Sequence, residues 1–306
     1  MRHLLTLNDI SSRELSQVLT LSTRIKAEVK KGIRRPRLAA KTLAMIFEKQ
    51  SLRTRVSFEA GMVQLGGHAM FLGAEAGFGK RESMSDFSRV LSSMVDCIAI
   101  RAMRHATAVA LAQYSRCPVI NALTDESHPC QALADMLTIK ERFGKLQGLK
   151  LAYVGDSNNV TASLVQASAK LGLEIAIASP KGYCFGETQL AALVGDSPAN
   201  GFLLEQTTDP GLAVQGAHAV YTDVWVSMGQ EKEEAKRKKA FAAYQVNSKL
   251  MKAARKDAIF LHCLPARRGL EVSDEVMDSP QSAIIEQAEN RMHAQKGLLV
   301  WLLGTA

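Results

Sequence analysis

Short apolar runs alternate with segments of helical periodicity along most of the chain. Ser11 and Glu14 form a capping box, in which each satisfies a free backbone N–H of a first helical turn, and Gly32 marks the end of that helix. The apolar runs predict buried strands at residues 42–47, 68–72, 97–100, 118–121, 151–154, 174–178, 219–222 and 258–262. Helical periodicity predicts further helices at residues 54–65, 85–94, 106–114, 129–143, 160–171 and 287–303.

Strands that alternate with helices indicate parallel sheets with helices on both faces. The chain of 306 residues is long for one hydrophobic core, and the glycine-containing segment 144–150 is a plausible junction. We therefore predict two doubly wound parallel-sheet α/β domains, at residues 1–145 and 146–286. The last helix, within residues 287–306, is predicted to return to and pack on the first domain.

Composition excludes several classes of protein. The net charge of +8 is spread along the chain, and the densest basic run, residues 232–239, is interleaved with glutamates, which predicts a solvated helix face and no nucleic-acid partner. We find neither a signal peptide nor a long apolar span, so a cytoplasmic protein without membrane contact is expected. The cysteines contain no CxxC pair, which argues against a zinc ribbon and a disulfide framework. They are Cys97, Cys117, Cys130, Cys184 and Cys263.

The segment from Ser51 to Arg55 predicts an anion site, because it follows a strand and opens a helix. Ser51 suits the N-cap, and the first turn offers free N–H groups at the positive end of the helix dipole. Arg53 and Arg55 add guanidiniums that can bind phosphate oxygens in pairs. The alternative is that both arginines are surface charges, but cations in a first turn oppose the dipole unless an anion is bound.

The motif S-x-R-T-R at residues 51–55 resembles the carbamoyl-phosphate signature of the aspartate/ornithine carbamoyltransferase family. Three later segments resemble motifs of the same family in the same order: His128-Pro-Cys-Gln131, Asp223-Val-Trp-Val-Ser-Met-Gly229 and His262-Cys-Leu-Pro265. The segment 288–291, Ala-Glu-Asn-Arg, also fits the ornithine branch. The resemblance extends over essentially the whole chain.

The resemblance implies that His128, Arg101 and Thr54 donate hydrogen bonds to the carbamoyl carbonyl oxygen, where negative charge develops. Gln131 would help to hold the amide end, to which the carbonyls of Cys263 and Leu264 would also bind. The implied carbamoyl-phosphate residues are Ser51, Leu52, Arg53, Thr54, Arg101, His128, Gln131, Cys263, Leu264 and Arg291, of which Arg291 has a solvated helix charge as its alternative.

For the second substrate, the resemblance implies ornithine. Asn159 would bind its α-amino and carboxylate end, Asp223 its α-amino group, and Ser227 with the Met228 backbone would complete the loop. An anionic Cys263 together with Asp223 would hold the δ-amine. The alternatives for Cys263 are a small buried residue and a covalent nucleophile, but direct attack by an amine needs no acyl-enzyme step.

The implied catalytic residues are Arg101, His128, Asp223 and Cys263, and the implied reaction is direct transfer without metal or organic cofactor. Two positions depart from the family pattern. Leu52 replaces the usual Thr, and Gly77 stands where many members carry a Gln that reaches a neighbouring subunit. Whether Lys80 or Arg81 substitutes for this Gln is open. A homotrimer with sites near subunit interfaces is expected from the resemblance. The alternatives are a sibling enzyme acting on aspartate or an N-acylated ornithine, and a protein of another class, either a catalytically silent subunit or an anion-binding regulatory protein.

Overall fold

The computed structural model describes residues 1–73, 81–196, 198–226 and 230–304. The chain divides into two compact units. The first comprises Met1–Leu137 together with Glu289–Ala306, and the second comprises Thr138–Ala288. No described helix combines the length and the apolarity that a membrane span requires.

The first unit contains a sheet of four parallel strands in the order β2-β1-β3-β4. Its strands are β1 Thr42–Phe47, β2 His68–Leu72, β3 Cys97–Arg101 and β4 Val119–Leu123. Its helices are α1 Ser12–Lys30, α2 Leu52–Gln64, α3 Met84–Met94 and α4 His105–Tyr114, and α5 Pro129–Phe143 begins there.

The second unit contains a sheet of five parallel strands in the order β7-β6-β5-β8-β9. Its strands are β5 Lys150–Val154, β6 Glu174–Ala178, β7 Leu203–Thr207, β8 Ala219–Thr222 and β9 Ile259–His262. Its helices are α6 Asn159–Leu171, α7 Glu187–Val194, α8 Pro210–Val214, α9 Glu234–Phe241, α10 Ser248–Met251 and α11 Asp274–Met277. The last helix of the chain, α12, is Ile284–Leu303.

The predicted fold class is confirmed: both sheets are parallel, and the C-terminal helix packs back on the first unit. The capping box of Ser11 and Glu14 is present at the start of α1, as predicted. The prediction of a solvated helix face at residues 232–239 is wrong for one residue. Arg237 is buried, whereas the other residues of the run are exposed or partly exposed.

Helix α12 approaches α1 closely in the first unit. The Lys26 ammonium donates to the Asn290 side-chain oxygen at 2.6 Å, and the Trp301 indole donates to Gln17 at 3.3 Å. A Cβ atom at Gly297 would lie 2.8 Å from the backbone nitrogen of Ser22. Only glycine fits there without displacing backbone, so Gly297 sets the separation of the two helices.

We expect Gly297→Ala to lower the free energy of unfolding by about 1–3 kcal/mol, because the added methyl group overlaps backbone that cannot move alone. Gly61→Ala, in helix α2, is the matched control. Its Cβ would meet two side chains, Lys296 at 3.3 Å and Met292 at 3.9 Å, but no backbone atom within 4 Å outside its own helix, so the higher helix propensity of alanine, worth up to about 1 kcal/mol, partly offsets the contact. Urea denaturation measures both variants, and a Gly297→Ala protein as stable as Gly61→Ala would contradict this packing.

Candidate active site

The strand β1 ends just before the phosphate-binding motif predicted from the sequence. Ser51 occupies the N-cap of α2, as predicted, but its side chain forms no capping bond with the helix backbone. Its hydroxyl instead donates to the Thr54 hydroxyl oxygen at 2.9 Å. Leu52 and Arg53 are exposed, whereas Thr54 is buried. The helix therefore begins with backbone N–H groups that no Ser51 side chain satisfies.

Arg55 differs from the other members of this motif. Its guanidinium bonds Glu59 at 2.9 Å, one turn along α2, and lies over the Phe71 ring at 4.2 Å from the ring centroid. The Arg55 guanidinium is therefore held between Glu59 and the Phe71 ring. Arg53, by contrast, is exposed and has no ion pair within the described part of the chain.

A buried guanidinium from α12 joins two of the predicted residues. Arg291 donates to the Gln131 side-chain oxygen at 2.7 Å and to the Thr54 hydroxyl oxygen at 3.1 Å. The Gln131 amide nitrogen donates to Asp135 at 2.8 Å, which fixes the orientation of the amide. Since the Thr54 oxygen accepts from both Ser51 and Arg291, its own hydrogen remains available to donate.

Gln131 is thus engaged by Arg291 and Asp135, and its predicted hold on the carbamoyl amide stays a prediction.

His128 lies close enough to the guanidiniums of Arg291 and Arg101 to be affected by their charges. Arg101 ends β3, and His128 directly precedes α5. Burial, together with the charges of Arg291 and Arg101, lowers the pKa of His128 well below its usual value. His128 is therefore a neutral imidazole at physiological pH, and it can donate a hydrogen bond without carrying charge.

In the second unit, the adjacent strands β5, β8 and β9 end at the other predicted residues. Asp223, directly after β8, is buried, and its carboxylate accepts from the Cys263 thiol at 3.0 Å and from the Asn158 amide at 2.9 Å. Asn158 also caps α6, because its side-chain oxygen accepts from the N–H groups of Val160 and Thr161. Asn159, at the start of α6, is partly exposed.

Asn158 was not predicted, although an Asn at the start of a helix is a recognisable N-cap signal. The predicted Ser227 and Met228 lie outside the described residues, as do Gly77 and Lys80.

A second residue that the sequence interpretation missed is Arg237, on α9. Its guanidinium donates to Asp156 at 2.8 and 2.9 Å and to the backbone carbonyl of Trp225 at 3.2 Å, and it lies over the Tyr183 ring. Burial raises the pKa of Asp156 to about 6, with the nearby Asp223 charge adding to the effect and Arg237 opposing it. The spacing of Arg237 and Phe241, one turn apart, is the signal that could have indicated a buried helix face.

Asp223, His262 and Cys263 offer ligand atoms within 4.8 Å of one another. Both ring nitrogens of His262 already have partners, the Leu264 backbone N–H and the Glu271 carboxylate. A metal would therefore have to displace one of these bonds, and the cluster as arranged offers a thiol and a carboxylate only. We assign no metal to it.

Known proteins match this chain over nearly its whole length. The family model for the aspartate/ornithine carbamoyltransferase carbamoyl-P binding domain matches residues 2–141, and the model for the Asp/Orn binding domain matches residues 147–302. The chain is 52% identical over 303 residues to the ornithine carbamoyltransferase of Symbiobacterium thermophilum, covering 99% of this chain and 98% of that protein. It is also 52% identical to that of Carboxydothermus hydrogenoformans, with the same coverage.

Solved structures agree as well. The ornithine carbamoyltransferase from Pyrococcus furiosus matches with a TM-score of 0.94 at 47% identity, covering 100% of this chain and 98% of that chain. The enzyme from Thermus thermophilus matches with a TM-score of 0.88 at 42% identity, covering 99% of both chains. Matches of this extent and identity show that the chain belongs to the aspartate/ornithine carbamoyltransferase family.

Proposed function

We propose that the chain transfers the carbamoyl group of carbamoyl phosphate to the δ-amine of L-ornithine, giving L-citrulline and phosphate. Two relatives that are 52% identical to this chain over nearly their whole length are named ornithine carbamoyltransferase. The observation that carries the proposal is the Arg291 guanidinium, bonded to Thr54 and Gln131, which both lie within the residues that match a carbamoyl-P binding domain.

The phosphate group binds at the start of α2. The first-turn N–H groups, which Ser51 leaves uncapped, and the positive end of the helix dipole attract an anion. The exposed Arg53 guanidinium supplies a charge-assisted contact. Leu52 contributes its backbone N–H alone, since its side chain is 76% exposed, so the departure from the family's Thr costs little.

The carbamoyl oxygen accepts from Thr54, His128 and Arg101. Attack on the carbamoyl carbon moves negative charge onto this oxygen, and fixed donors lower the barrier most where charge develops. Thr54 has a hydrogen to give because its oxygen already accepts two bonds. Arg291 holds Thr54 in place and adds positive charge, and Gln131 completes the hold on the amide end.

Ornithine binds to the acidic group of the second unit. Asp223 pairs with the α-amino group, and Asn159 binds the α-amino and carboxylate end. Ser227 and the Met228 backbone complete the contact, and the carbonyls of Cys263 and Leu264 accept from the carbamoyl amide. The Cys263 thiol donates to the Asp223 carboxylate at 3.0 Å, and an anionic Cys263 together with Asp223 would hold the δ-amine.

The reaction needs an unprotonated δ-amine, whose reference pKa is about 10.4 for a side-chain amine of this kind. The δ-ammonium first releases a proton to solvent water, and the lone pair of the resulting amine then forms the C–N bond to the carbamoyl carbon. The tetrahedral species collapses as the C–O bond to phosphate breaks. The departing phosphate takes the second nitrogen proton, and its charge is balanced by Ser51, Arg53, Thr54 and Arg101. No metal or organic cofactor enters these steps, and alignment of two bound substrates supplies much of the rate.

The charge of Asp223 argues against the sibling substrates. The second carboxylate of aspartate would meet an anion where ornithine presents a cation. An N-acylated ornithine has no α-ammonium group to pair with Asp223, so a buried carboxylate would lose its counter-ion.

We further infer a homotrimer in the cytoplasm that serves arginine biosynthesis. Leu52, Val56 and Val63 lie along one side of α2 and are 76%, 51% and 69% exposed, which favours a second copy covering this helix. All five cysteines are free thiols, as suits a reducing compartment.

The purified protein, given carbamoyl phosphate with ornithine, is expected to form citrulline, measured as ureido product. Aspartate and acetylornithine are the comparison acceptors, and light scattering on the same preparation measures the trimer. Product from either comparison acceptor in place of ornithine would favour a sibling enzyme. No product from any acceptor would favour a silent subunit and contradict the proposal.

Two substitutions separate the substrates. Arg53→Ala is expected to raise the KM for carbamoyl phosphate on the order of 10- to 100-fold, since a charged hydrogen bond is lost. Cys263→Ala is expected to act chiefly on the KM for ornithine. Arg55→Ala is the matched control for Arg53, because Arg55 is engaged by Glu59. Steady-state kinetics with each substrate varied in turn measures the effects, and equal effects of Arg53→Ala and Cys263→Ala on both substrates would refute the division.

The neutral state of His128 predicts an acid dependence of stability. Its folded pKa lies below the unfolded value of about 6.5. As pH falls below that value, the unfolded chain takes up a proton that the folded protein resists, so stability is lost. Between pH 7.5 and 5.5, the wild type is expected to lose more unfolding free energy than His128→Gln, by at most about 1.4 kcal/mol. Urea denaturation at both pH values measures this, and parallel losses would contradict a neutral His128.

A further inference from the structure

The turn after β9 has a backbone conformation that its sequence does not favour. Leu264 has φ of 58°, in the left-handed region, which among the described non-glycine residues only Ala40 shares. For a residue with a branched side chain this conformation costs on the order of 1–2 kcal/mol. It persists where surrounding contacts fix it, so the contacts of Leu264 identify what holds the turn.

The contact that fixes Leu264 comes from the preceding histidine. The Leu264 backbone N–H donates to Nδ1 of His262 at 2.9 Å. The His262 side chain is fully buried, and its Nε2 lies 3.3 Å from a Glu271 carboxylate oxygen. Because Nδ1 accepts, the ring proton of a neutral imidazole lies on Nε2 and points at Glu271. One tautomer therefore satisfies both neighbours.

Glu271 is itself held in place. Its side chain is 1% exposed, and the same oxygen that faces His262 accepts from the Arg267 backbone N–H at 2.5 Å. The backbone N–H of His262 donates to the Gln287 side-chain oxygen at 2.9 Å. His262 is thus fixed at its backbone by Gln287 and at its ring by Glu271, and the remaining ring nitrogen is directed at Leu264.

We propose that His262, oriented by Glu271, is a positioning residue for the Cys263–Leu264 turn. It does not touch substrate. It holds Leu264 in the left-handed conformation and thereby aims the two backbone carbonyls that accept from the carbamoyl amide. This inference rests on the proposed function, because the carbonyls matter only where a carbamoyl group binds between them.

Two alternatives assign His262 other work. As a metal ligand with Asp223 and Cys263, it would have to give up the bond to Leu264 or to Glu271. As a core residue alone, it would stabilise the fold without any preference between its two nitrogens. The proposal alone requires Nδ1 to accept from the Leu264 N–H, whereas a metal ligand would lose one of the two ring contacts and a core residue would need neither nitrogen in particular.

The pair His262→Asn and His262→Gln separates the nitrogens. An Asn side-chain oxygen can stand in for Nδ1 and accept from Leu264, although it loses Glu271. A Gln amide nitrogen can stand in for Nε2 and donate to Glu271, but it leaves the Leu264 N–H without its acceptor. We expect His262→Gln to lower kcat/KM for carbamoyl phosphate on the order of 10- to 100-fold, as for a buried donor left unsatisfied.

We expect His262→Asn to retain activity within roughly 5-fold of the wild type, since the acceptor for the Leu264 N–H is kept. Thermal unfolding of both variants shows whether activity follows stability. Equal activities of the two variants, at any level, or a greater loss in His262→Asn, would overturn the proposal.

A measurement on the wild type needs neither substrate nor a folded variant. Nitrogen-15 NMR of the imidazole, assigned by the signals that disappear in His262→Gln, is expected to report a protonated Nε2 and an unprotonated Nδ1. If that variant does not fold, the signals that disappear in His262→Asn provide the assignment. Scalar coupling between the ring nitrogens and the His262 backbone assigns them in the wild type without any variant. The opposite tautomer would overturn the proposal. Failure of the wild type to form citrulline would instead count against the proposed function and leave the tautomer result standing.

Discussion

The donors of the first unit depend on one buried guanidinium, that of Arg291. A guanidinium out of water needs acceptors for its N–H groups, and the oxygens of Gln131 and Thr54 supply two of them. Gln131 is fixed in turn by Asp135, and Thr54 accepts from Ser51. One chain of hydrogen bonds therefore connects α5, α12 and the start of α2, whose contacting residues lie as far as 237 positions apart. The same helix, α12, packs closely against α1 at Gly297.

The two units differ in the sign of charge that their candidate residues carry. In the first, burial together with the charges of Arg291 and Arg101 keeps the pKa of His128 low, so the residues attract an anion through the guanidiniums and offer a neutral donor beside them. In the second, Asp223 is a buried acceptor toward which Asn158 and Cys263 both donate. Carbamoyl phosphate is an anion and the amines of ornithine are cations. The charges thus sort the two proposed substrates between the units before any shape is considered.

Much of the fold could be predicted because strands buried in a parallel sheet are nearly continuous apolar runs. The strand Thr42–Phe47 has the predicted bounds for this reason. The strand Leu203–Thr207 was not predicted, since it lies at a sheet edge and carries Glu205 and Gln206. The resemblance inferred from four motifs is confirmed by the comparisons. Most of the predicted positions lie at strand ends or at the helix starts that follow them, because loops there are where α/β proteins bind ligands; Arg291, within α12, is an exception.

What the sequence could not predict is which residues orient the others. Asn158 has a local signal as a helix cap, but its bond to Asp223 spans 65 positions and depends on β5 and β8 being neighbours. Arg237 is concealed within a run of charges, because a long side chain can bury its stem and still look solvated in the sequence. Yet Arg237 donates both to Asp156 and to the Trp225 carbonyl, and it thereby fixes the backbone at Trp225. Removing it would leave the Asp156 carboxylate buried without its cation, which costs more than the pair itself contributes. Residues of this kind are identified by contacts between elements that are distant in sequence, and these contacts cannot be predicted from a single sequence.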